Sequence, residues 1–142
     1  MAAPLMHSVT IAADADKIYE AISTGKGLAN FWTKDSHAEP RVGSIAKFGF
    51  GGPRLELKVE EIQPSKLVRW SSPDGFPQWV GTTITWEIGR AENGGSEVIF
   101  SHSGWPAELP QADLASVNYT WGRVVGRLKK YMETGEPVPF FP

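Results

Sequence analysis

Residues 111–133 read QADLASVNYTWGRVVGRLKKYME, and their apolar side chains recur at steps of three and four. This spacing matches the 3.6-residue turn of an α-helix, so one side of the segment is apolar along its length. The stripe comprises Leu114, Val117, Trp121, Val124 or Val125, Leu128 and Tyr131. Gly135 and Pro137 end the pattern, as is typical of a helix C-terminus. The sequence therefore predicts a helix from about Gln111 to Glu133, long enough to lie across a whole sheet.

The segment before this helix, from Arg41 to His102, alternates apolar and polar side chains with a period of two. Gly and Pro clusters interrupt it at intervals typical of an antiparallel meander. Its last strand places Val98, Phe100 and His102 on the face that should point inward. We therefore expect about five or six antiparallel strands here, apolar on one face and charged on the other.

The N-terminal segment predicts one strand and two short helices. Residues 5–12 have the composition of an edge strand, and Asp14 is a suitable N-cap for a helix over about Ala15 to Ser23. The Gly-rich residues 24–27 should stop that helix, and Leu28 to Trp32 then form a second short helix or turn. The fold class is therefore α+β, with a curved antiparallel sheet wrapped around the long C-terminal helix.

The chain has 142 residues, which suits a single domain. We expect that domain to span residues 1–135, and residues 136–142 to form a proline-rich tail whose Phe140 and Phe141 either dock on the body or stay loose. With no cysteine, the chain has no disulfide, thiolate nucleophile or Cys-based metal site. No segment resembles a signal peptide or a membrane span, so we expect a soluble, cytoplasmic protein.

A formal net charge of −2 excludes a global electrostatic attraction to nucleic acid or to an anionic membrane. The basic residues near the end of the long helix favour a solvated face. They are Arg123, Arg127, Lys129 and Lys130. Neither nucleic acid nor a membrane is therefore an expected partner.

Seven sequence segments, in their order along the chain, resemble one known family. They are residues 13–19 leading to Trp32, residues 40–43, residues 57–64, residues 67–70, residues 83–88, residues 95–105 and the terminal helix from Trp121 to Leu128. With these motifs the chain resembles the activator of 90-kDa heat-shock protein ATPase homologue family, within the SRPBCC (START/pollen-allergen-like) superfamily. The resemblance covers almost the whole chain.

The resemblance implies a helix-grip (START-like) fold with a cavity between the curved sheet and the C-terminal helix. Relatives use this space for lipids, hormones, polyketides or aromatic small molecules. Because one scaffold hosts many functions, the resemblance does not imply a particular reaction.

His102 is the candidate for catalytic chemistry, because it is the one histidine in a strongly patterned element. Its ordinary pKa of about 6.5 suits an acid, a base or a polar anchor in an apolar pocket. The alternative is a histidine whose ring nitrogens are satisfied by neighbouring groups at the end of the sheet. Because His7 and His37 are distant in sequence, we expect no metal site, and no cofactor is implied.

Aromatic residues are abundant, with six Trp, seven Phe and three Tyr, and such rings either fill a core or line a pocket. The leading hypothesis is a protein that binds a small apolar or aromatic molecule between the sheet and the final helix. The expected ligand-binding residues are Phe48, Phe50, Leu57, Trp70, Trp86, His102, Tyr119 and Trp121. Trp79 and Trp105, at loop edges, lie either at the cavity mouth or in surface packing. A cavity without a void of about 300 Å³ would count against this hypothesis.

Two other classes of function stay open. One is a cyclase- or hydrolase-like enzyme in which His102 moves a proton. The other is an interaction module that regulates a chaperone or another protein through the outer face of the sheet or the Phe140–Phe141 tail. The pattern is compatible with a monomer and with a homodimer.

Overall fold

A single sheet of seven antiparallel strands packs against one long helix in the computed structural model, which describes residues 3–92 and 94–142. Met1, Ala2 and Asn93 lie outside the described residues. The strands are β1 (Leu5–Ile11), β2 (Asp35–His37), β3 (Ile45–Gly49), β4 (Arg54–Gln63), β5 (Leu67–Ser71), β6 (Thr83–Arg90) and β7 (Ser96–Ser103). Their order across the sheet is β1-β7-β6-β5-β4-β3-β2. The helices are α1 (Ala15–Ser23), α2 (Gly25–Ala29) and α3 (Gln111–Thr134). The predicted α+β fold class is confirmed.

One face of the sheet is apolar and buried, and the other is charged. In β4 the buried side chains Leu55, Leu57 and Val59 alternate with exposed Glu and Lys residues. Between β4 and β5 the register shifts at Val59 and Glu61, which leaves Glu60 as an extra residue. A bulge of this kind bends a strand and increases its twist, which helps the sheet to curve.

The two short helices follow β1, and the structure corrects the position of the second. Helix α1 has the predicted bounds, but α2 spans Gly25–Ala29 and not Leu28 to Trp32. Its N-cap is Thr24, whose hydroxyl accepts a hydrogen bond from the Gly27 N–H. The glycines are used here for close contact, because a Cβ on Gly27 would lie 2.4 Å from the Cα of Ala21. Glycine therefore permits this turn of helix to pack directly on α1.

Helix α3 buries the predicted stripe against the apolar face of the sheet. Trp121, Val124, Val125 and Leu128 are buried, and they join a core that extends over most of the strands. At the C-terminal end of α3, Glu133 accepts a hydrogen bond of 2.8 Å from the Ala12 N–H. This contact ties the end of the helix to the segment that follows β1.

The C-terminal tail docks on the body of the protein. The Val138 N–H donates to the Asn30 carbonyl at 2.7 Å, and the Phe141 N–H donates to the Trp32 carbonyl at 2.9 Å. Arg127 donates to the carbonyls of Val138 and Pro139 at 2.9 and 3.1 Å. The tail is thereby held between α3 and the segment that follows α2.

Among the described residues, no helix combines the length and the apolar character that crossing a membrane requires.

Candidate functional site

An open cavity of about 240 Å³ lies between the N-terminal half of α3, the loop from β5 to β6, the end of β3 and the C-terminal tail. The lining consists mainly of aromatic side chains. The residues that line it are Trp32, Phe50, Pro53, Phe76, Trp79, Ser116, Val117, Thr120, Trp121 and Phe141. Trp32 and Trp121 are each 2% exposed and form a rigid floor. Phe50, Phe76, Trp79 and Phe141 are half-buried and form the walls.

Five of these rings, two from the floor and three from the walls, form a closed circuit, and we call this set of five the aromatic ring wall. It runs from Phe76 to Trp79, Trp121, Trp32, Phe50 and back to Phe76. The centroid distances in that order are 5.3, 5.9, 5.0, 5.8 and 5.8 Å. Neighbouring ring planes are inclined by 84°, 34°, 44°, 55° and 47°, so no neighbouring pair is stacked. The rings therefore surround a space and do not form a parallel stack.

The polar groups of the cavity are few. Of the described residues that line it, none is charged, and the hydroxyls are those of Ser116 and Thr120 on α3. The Thr120 hydroxyl donates to the Ser116 carbonyl at 3.0 Å. Near the mouth, Gln78 donates to the Asp113 carboxylate at 3.0 Å and joins the β5–β6 loop to the first turn of α3. The cavity is thus apolar inside, and the Asp113 carboxylate lies one helical turn before its lining residues Ser116 and Val117.

His102 lies at the centre of a hydrogen-bonded chain that positions two members of the ring wall. Trp121 Nε1 donates to His102 Nδ1 at 3.1 Å, and His102 Nε2 donates to the Thr82 hydroxyl at 2.8 Å. Thr82 in turn donates to the Trp79 carbonyl at 2.6 Å. The two bonds to the ring assign the neutral tautomer with its proton on Nε2. This chain links α3, β7 and the single turn of 3₁₀ helix at Pro77–Trp79.

The electrostatic environment keeps His102 neutral. The side chain has no exposed surface, and burial lowers its pKa from 6.5 to about 3, because desolvation disfavours the charged ring. Trp79 lies edge-on to the ring at 4.6 Å, and Trp105 packs on it at 4.2 Å. Of the alternatives left open by the sequence, the structure shows the histidine that is satisfied by its neighbours.

No group of three His, Asp or Glu side chains within residues 3–92 and 94–142 has an arrangement that could hold a metal ion.

The fold, with its sheet, its long helix and the cavity between them, is consistent with the family that a comparison with known proteins identifies. A family model described as Activator of Hsp90 ATPase homolog 1-like protein matches residues 12–133. The chain belongs to this family. The resemblance inferred from the sequence is therefore confirmed. No curated protein matches the sequence significantly.

Solved structures support the family fold. The Aha1 dimer from Colwellia psychrerythraea is 33% identical, with a TM-score of 0.84, and the match covers 94% of this chain and 98% of that one. A Staphylococcus saprophyticus protein is 16% identical, with a TM-score of 0.80 and 96% of both chains covered. A Mesorhizobium loti protein is 15% identical, with a TM-score of 0.78, over 90% of this chain and 95% of that one. The last two show the fold alone.

The residues expected to bind a ligand take three different positions in this family fold. Phe50 and Trp121 line the cavity. Phe48, Leu57, Trp70, Trp86 and His102 are fully or almost fully buried in the core and do not line it. Tyr119 is 63% exposed, and its hydroxyl accepts a hydrogen bond from Arg123. Tyr119 does not line the cavity, because it lies two residues before Trp121 on α3, on roughly the opposite side of the helix, and faces solvent.

Sequence reasoning did not identify Trp32, Phe76 and Phe141 as lining residues. Trp79, for which two positions were left open, lies at the cavity, whereas Trp105 is 1% exposed and packs on His102. Phe76 and Trp79 lie on either side of Pro77 and Gln78 in the β5–β6 loop, and an aromatic pair in a loop was the available signal. For Trp32 and Phe141 the local sequence gave no signal, since their roles depend on the docking of the tail.

Proposed function

We propose that this protein binds a small apolar or aromatic molecule in the cavity between the sheet, α3 and the β5–β6 loop. The observation that carries the proposal is an open cavity of about 240 Å³ with aromatic walls and no charged residue among its described lining residues. Binding sites for small molecules are concave, mainly apolar and largely preformed, with a few polar groups that fix orientation. Ser116 and Thr120 supply such groups here.

The volume of the cavity limits the size of the ligand. A dry apolar cavity of about 150 Å³ holds benzene, whereas sites for drug-sized molecules begin at about 300 Å³. At about 240 Å³, this cavity is smaller than the void of about 300 Å³ that the sequence-based hypothesis required, which counts against a ligand of drug size. The proposal is therefore restricted to smaller ligands. It covers molecules of one or two rings, or a compact group of similar bulk, and not a whole lipid or polyketide.

The walls and the floor have different roles in this proposal. The buried floor residues Trp32 and Trp121 provide a fixed surface, with Trp121 held by its bond to His102. The half-buried walls, Phe76 and Trp79 among them, lie in a loop, where side chains adjust more easily than in a packed core. A ligand would enter past these walls and gain apolar contact on the floor.

A reaction through His102 is not part of this proposal. Both ring nitrogens are engaged in hydrogen bonds, and the side chain has no exposed surface. A general acid or base must reach the proton that it transfers, directly or through one water molecule. His102 supports ligand binding as a positioning residue for Trp79 and Trp121.

The proposal is tested by native mass spectrometry of the freshly purified protein, followed by calorimetric titration with indole, naphthalene and a panel of aromatic acids. Ser116→Phe would fill the cavity from α3 and should abolish binding. Asn118→Phe is the matched control, because Asn118 is exposed on the same helix and does not line the cavity. Binding that survives Ser116→Phe unchanged would place the ligand elsewhere and refute the proposal.

A homodimer is a second proposal, on assembly. The relative from Colwellia psychrerythraea that is 33% identical was solved as a dimer. In this chain β1 is an edge strand, and Met6 on it is 57% exposed, so an apolar side chain accompanies the free edge. Sedimentation velocity over a hundredfold range of protein concentration should show a monomer–dimer equilibrium. A constant monomer mass up to the highest concentration would contradict it.

The family name refers to the ATPase of Hsp90, and an interaction module is the competing function. This function is distinguished from ligand binding by adding the protein to purified Hsp90 and measuring the ATPase rate of Hsp90. A higher rate that also persists in Ser116→Phe would favour an interaction module that works independently of the cavity.

A further inference from the structure

The aromatic ring wall has a shape that selects among small ligands, and this inference rests on one part of the proposed function, the binding of a small molecule in this cavity. A flat aromatic ligand that stacks between two rings needs those rings to be parallel, but neighbouring rings of the wall are inclined by at least 34°. From centroid distances of 5.0–5.9 Å, a point at the centre of a regular five-ring circuit would lie roughly 5 Å from every centroid. The space suits a compact, rounded group.

Five aromatic rings that line one cavity also favour positive charge where their faces point into it. The face of each ring carries a partial negative charge, and cations within about 6 Å of a centroid are attracted to it, most strongly by Trp. Two of the five rings belong to Phe and three to Trp. Among the described lining residues there is no Lys or Arg that would oppose a cation. The wall therefore provides an environment that is apolar and electrostatically favourable to a cation.

The scarcity of hydrogen-bond acceptors determines which cation fits. A primary ammonium carries three N–H donors, and burying them without acceptors is unfavourable. The side-chain hydroxyls that line the cavity are those of Ser116 and Thr120, both on one side. A fully methylated ammonium has no N–H group to satisfy. The cavity can therefore accept its charge through the rings alone.

A carboxylate near the entrance completes the arrangement. Asp113 lies one turn before Val117 of the cavity lining. Its carboxylate accepts a hydrogen bond of 3.0 Å from Gln78, which fixes the side chain. Its position on α3 places a negative charge beside the mouth, where it attracts cations from solution.

From these observations we propose that the ligand carries a quaternary ammonium group, which the aromatic ring wall surrounds. The rest of the ligand is short and extends toward the mouth, where Ser116 and Thr120 provide hydroxyl partners for a polar end. The walls supply contact area and cation–π attraction together, so binding depends on the rings and not only on the volume that they enclose.

The test compares choline with 3,3-dimethylbutan-1-ol, a neutral molecule of the same shape in which carbon replaces nitrogen, and with ethanolamine, a primary ammonium. Calorimetric titration should show choline binding about tenfold or more tightly than either comparison molecule, since several rings contribute. Indole is included as a neutral aromatic probe of the proposed function.

Two variants separate the contribution of the rings from that of volume. Phe76→Leu keeps an apolar wall but removes a ring. It should weaken the binding of choline several-fold and change the affinity for the neutral isostere by less than about twofold. Phe50→Leu is a second variant of the same kind, because it also changes a half-buried wall residue. Asp113→Asn should weaken choline binding and reduce its dependence on salt.

Equal or tighter binding of the neutral isostere would overturn the inference and leave the proposed function intact. Binding of indole without binding of choline would have the same meaning. If choline, its isostere and indole all fail to bind, the inference and the proposed function are both wrong.

Discussion

Replacing His102 with Asn should remove a specific part of the pH dependence of folding stability. Asn is neutral at all accessible pH values, and its side-chain oxygen can still accept a hydrogen bond from Trp121 Nε1. The variant itself will be less stable at pH 7, because Thr82 loses its donor and the ring leaves a void. The informative quantity is therefore the change in the free energy of unfolding with pH, and not its value at one pH.

The magnitude follows from the pKa of His102, which burial lowers from 6.5 to about 3 in the folded protein. Between these values the unfolded chain binds a proton that the folded protein does not, so stability falls as the pH decreases. Each pKa unit corresponds to about 1.4 kcal/mol. The linkage amounts to a loss of about 2 kcal/mol between pH 7 and pH 5, and of about 5 kcal/mol once the pH is below 3.

The assay is urea unfolding followed by tryptophan fluorescence at pH 7, 6 and 5, with the free energy of unfolding obtained by linear extrapolation. His37→Asn is the matched control, because the His37 side chain is 70% exposed on β2. The Glu133 pKa is held below its ordinary value by the Ala12 N–H and by Lys129, so that carboxyl group titrates below this window.

The wild type and His37→Asn should both lose about 2 kcal/mol more than His102→Asn between pH 7 and pH 5. If all three proteins lose the same amount, His102 does not stay neutral in the folded protein. In that case the hydrogen-bonded chain from Trp121 to Trp79 would have to be redrawn.

Two further substitutions test the packing of the helices and the tail. Gly27→Ala should lower the free energy of unfolding by about 1–3 kcal/mol, because the new Cβ would lie 2.4 Å from backbone atoms of α1. Gly126→Ala, at a position on α3 with open space, should instead raise the free energy of unfolding by about 0.5–1 kcal/mol. Urea unfolding measures both, and equal effects would contradict the close contact. Arg127→Ala should release the tail and cost about 1–2 kcal/mol, because it removes the bonds to two tail carbonyls. Faster amide exchange in residues 138–141 would report the release, whereas the exposed control Arg123→Ala should leave the exchange unchanged.

Much of the fold could be predicted because its signals are local. The bounds of α1 are the predicted ones, and α3 extends one residue past the predicted Glu133. The alternation of apolar side chains placed Val98, Phe100 and His102 on the buried face of β7. The second short helix was predicted, but its bounds were wrong because Gly25 and Gly27 indicated a break, whereas they allow a helix to approach its neighbours closely.

The candidate site was predicted less completely. Alternation separates the inner face of a strand from its outer face, but it does not distinguish a core side chain from one that lines a cavity. Phe48, Trp70 and Trp86 are inward-facing and buried, but they pack behind Trp32 and Trp121 and do not line the cavity. Phe76 and Trp79 belong to a loop, where no periodicity exists to predict their direction.

The amino-acid sequence was sufficient for most of the elements and their apolar faces, with α2 misplaced and β2 not predicted, and, through seven segments in order, for the family. The elements and their faces depend on residues a few positions apart, so the period of the pattern reports them directly. The aromatic ring wall depends on contacts between distant segments, since Trp32, Phe50, Phe76, Trp79 and Trp121 come from four parts of the chain. Only the tertiary structure, with the sheet packed on α3 and the hydrogen-bonded chain through His102, brings each ring to within 6 Å of its neighbours in the circuit.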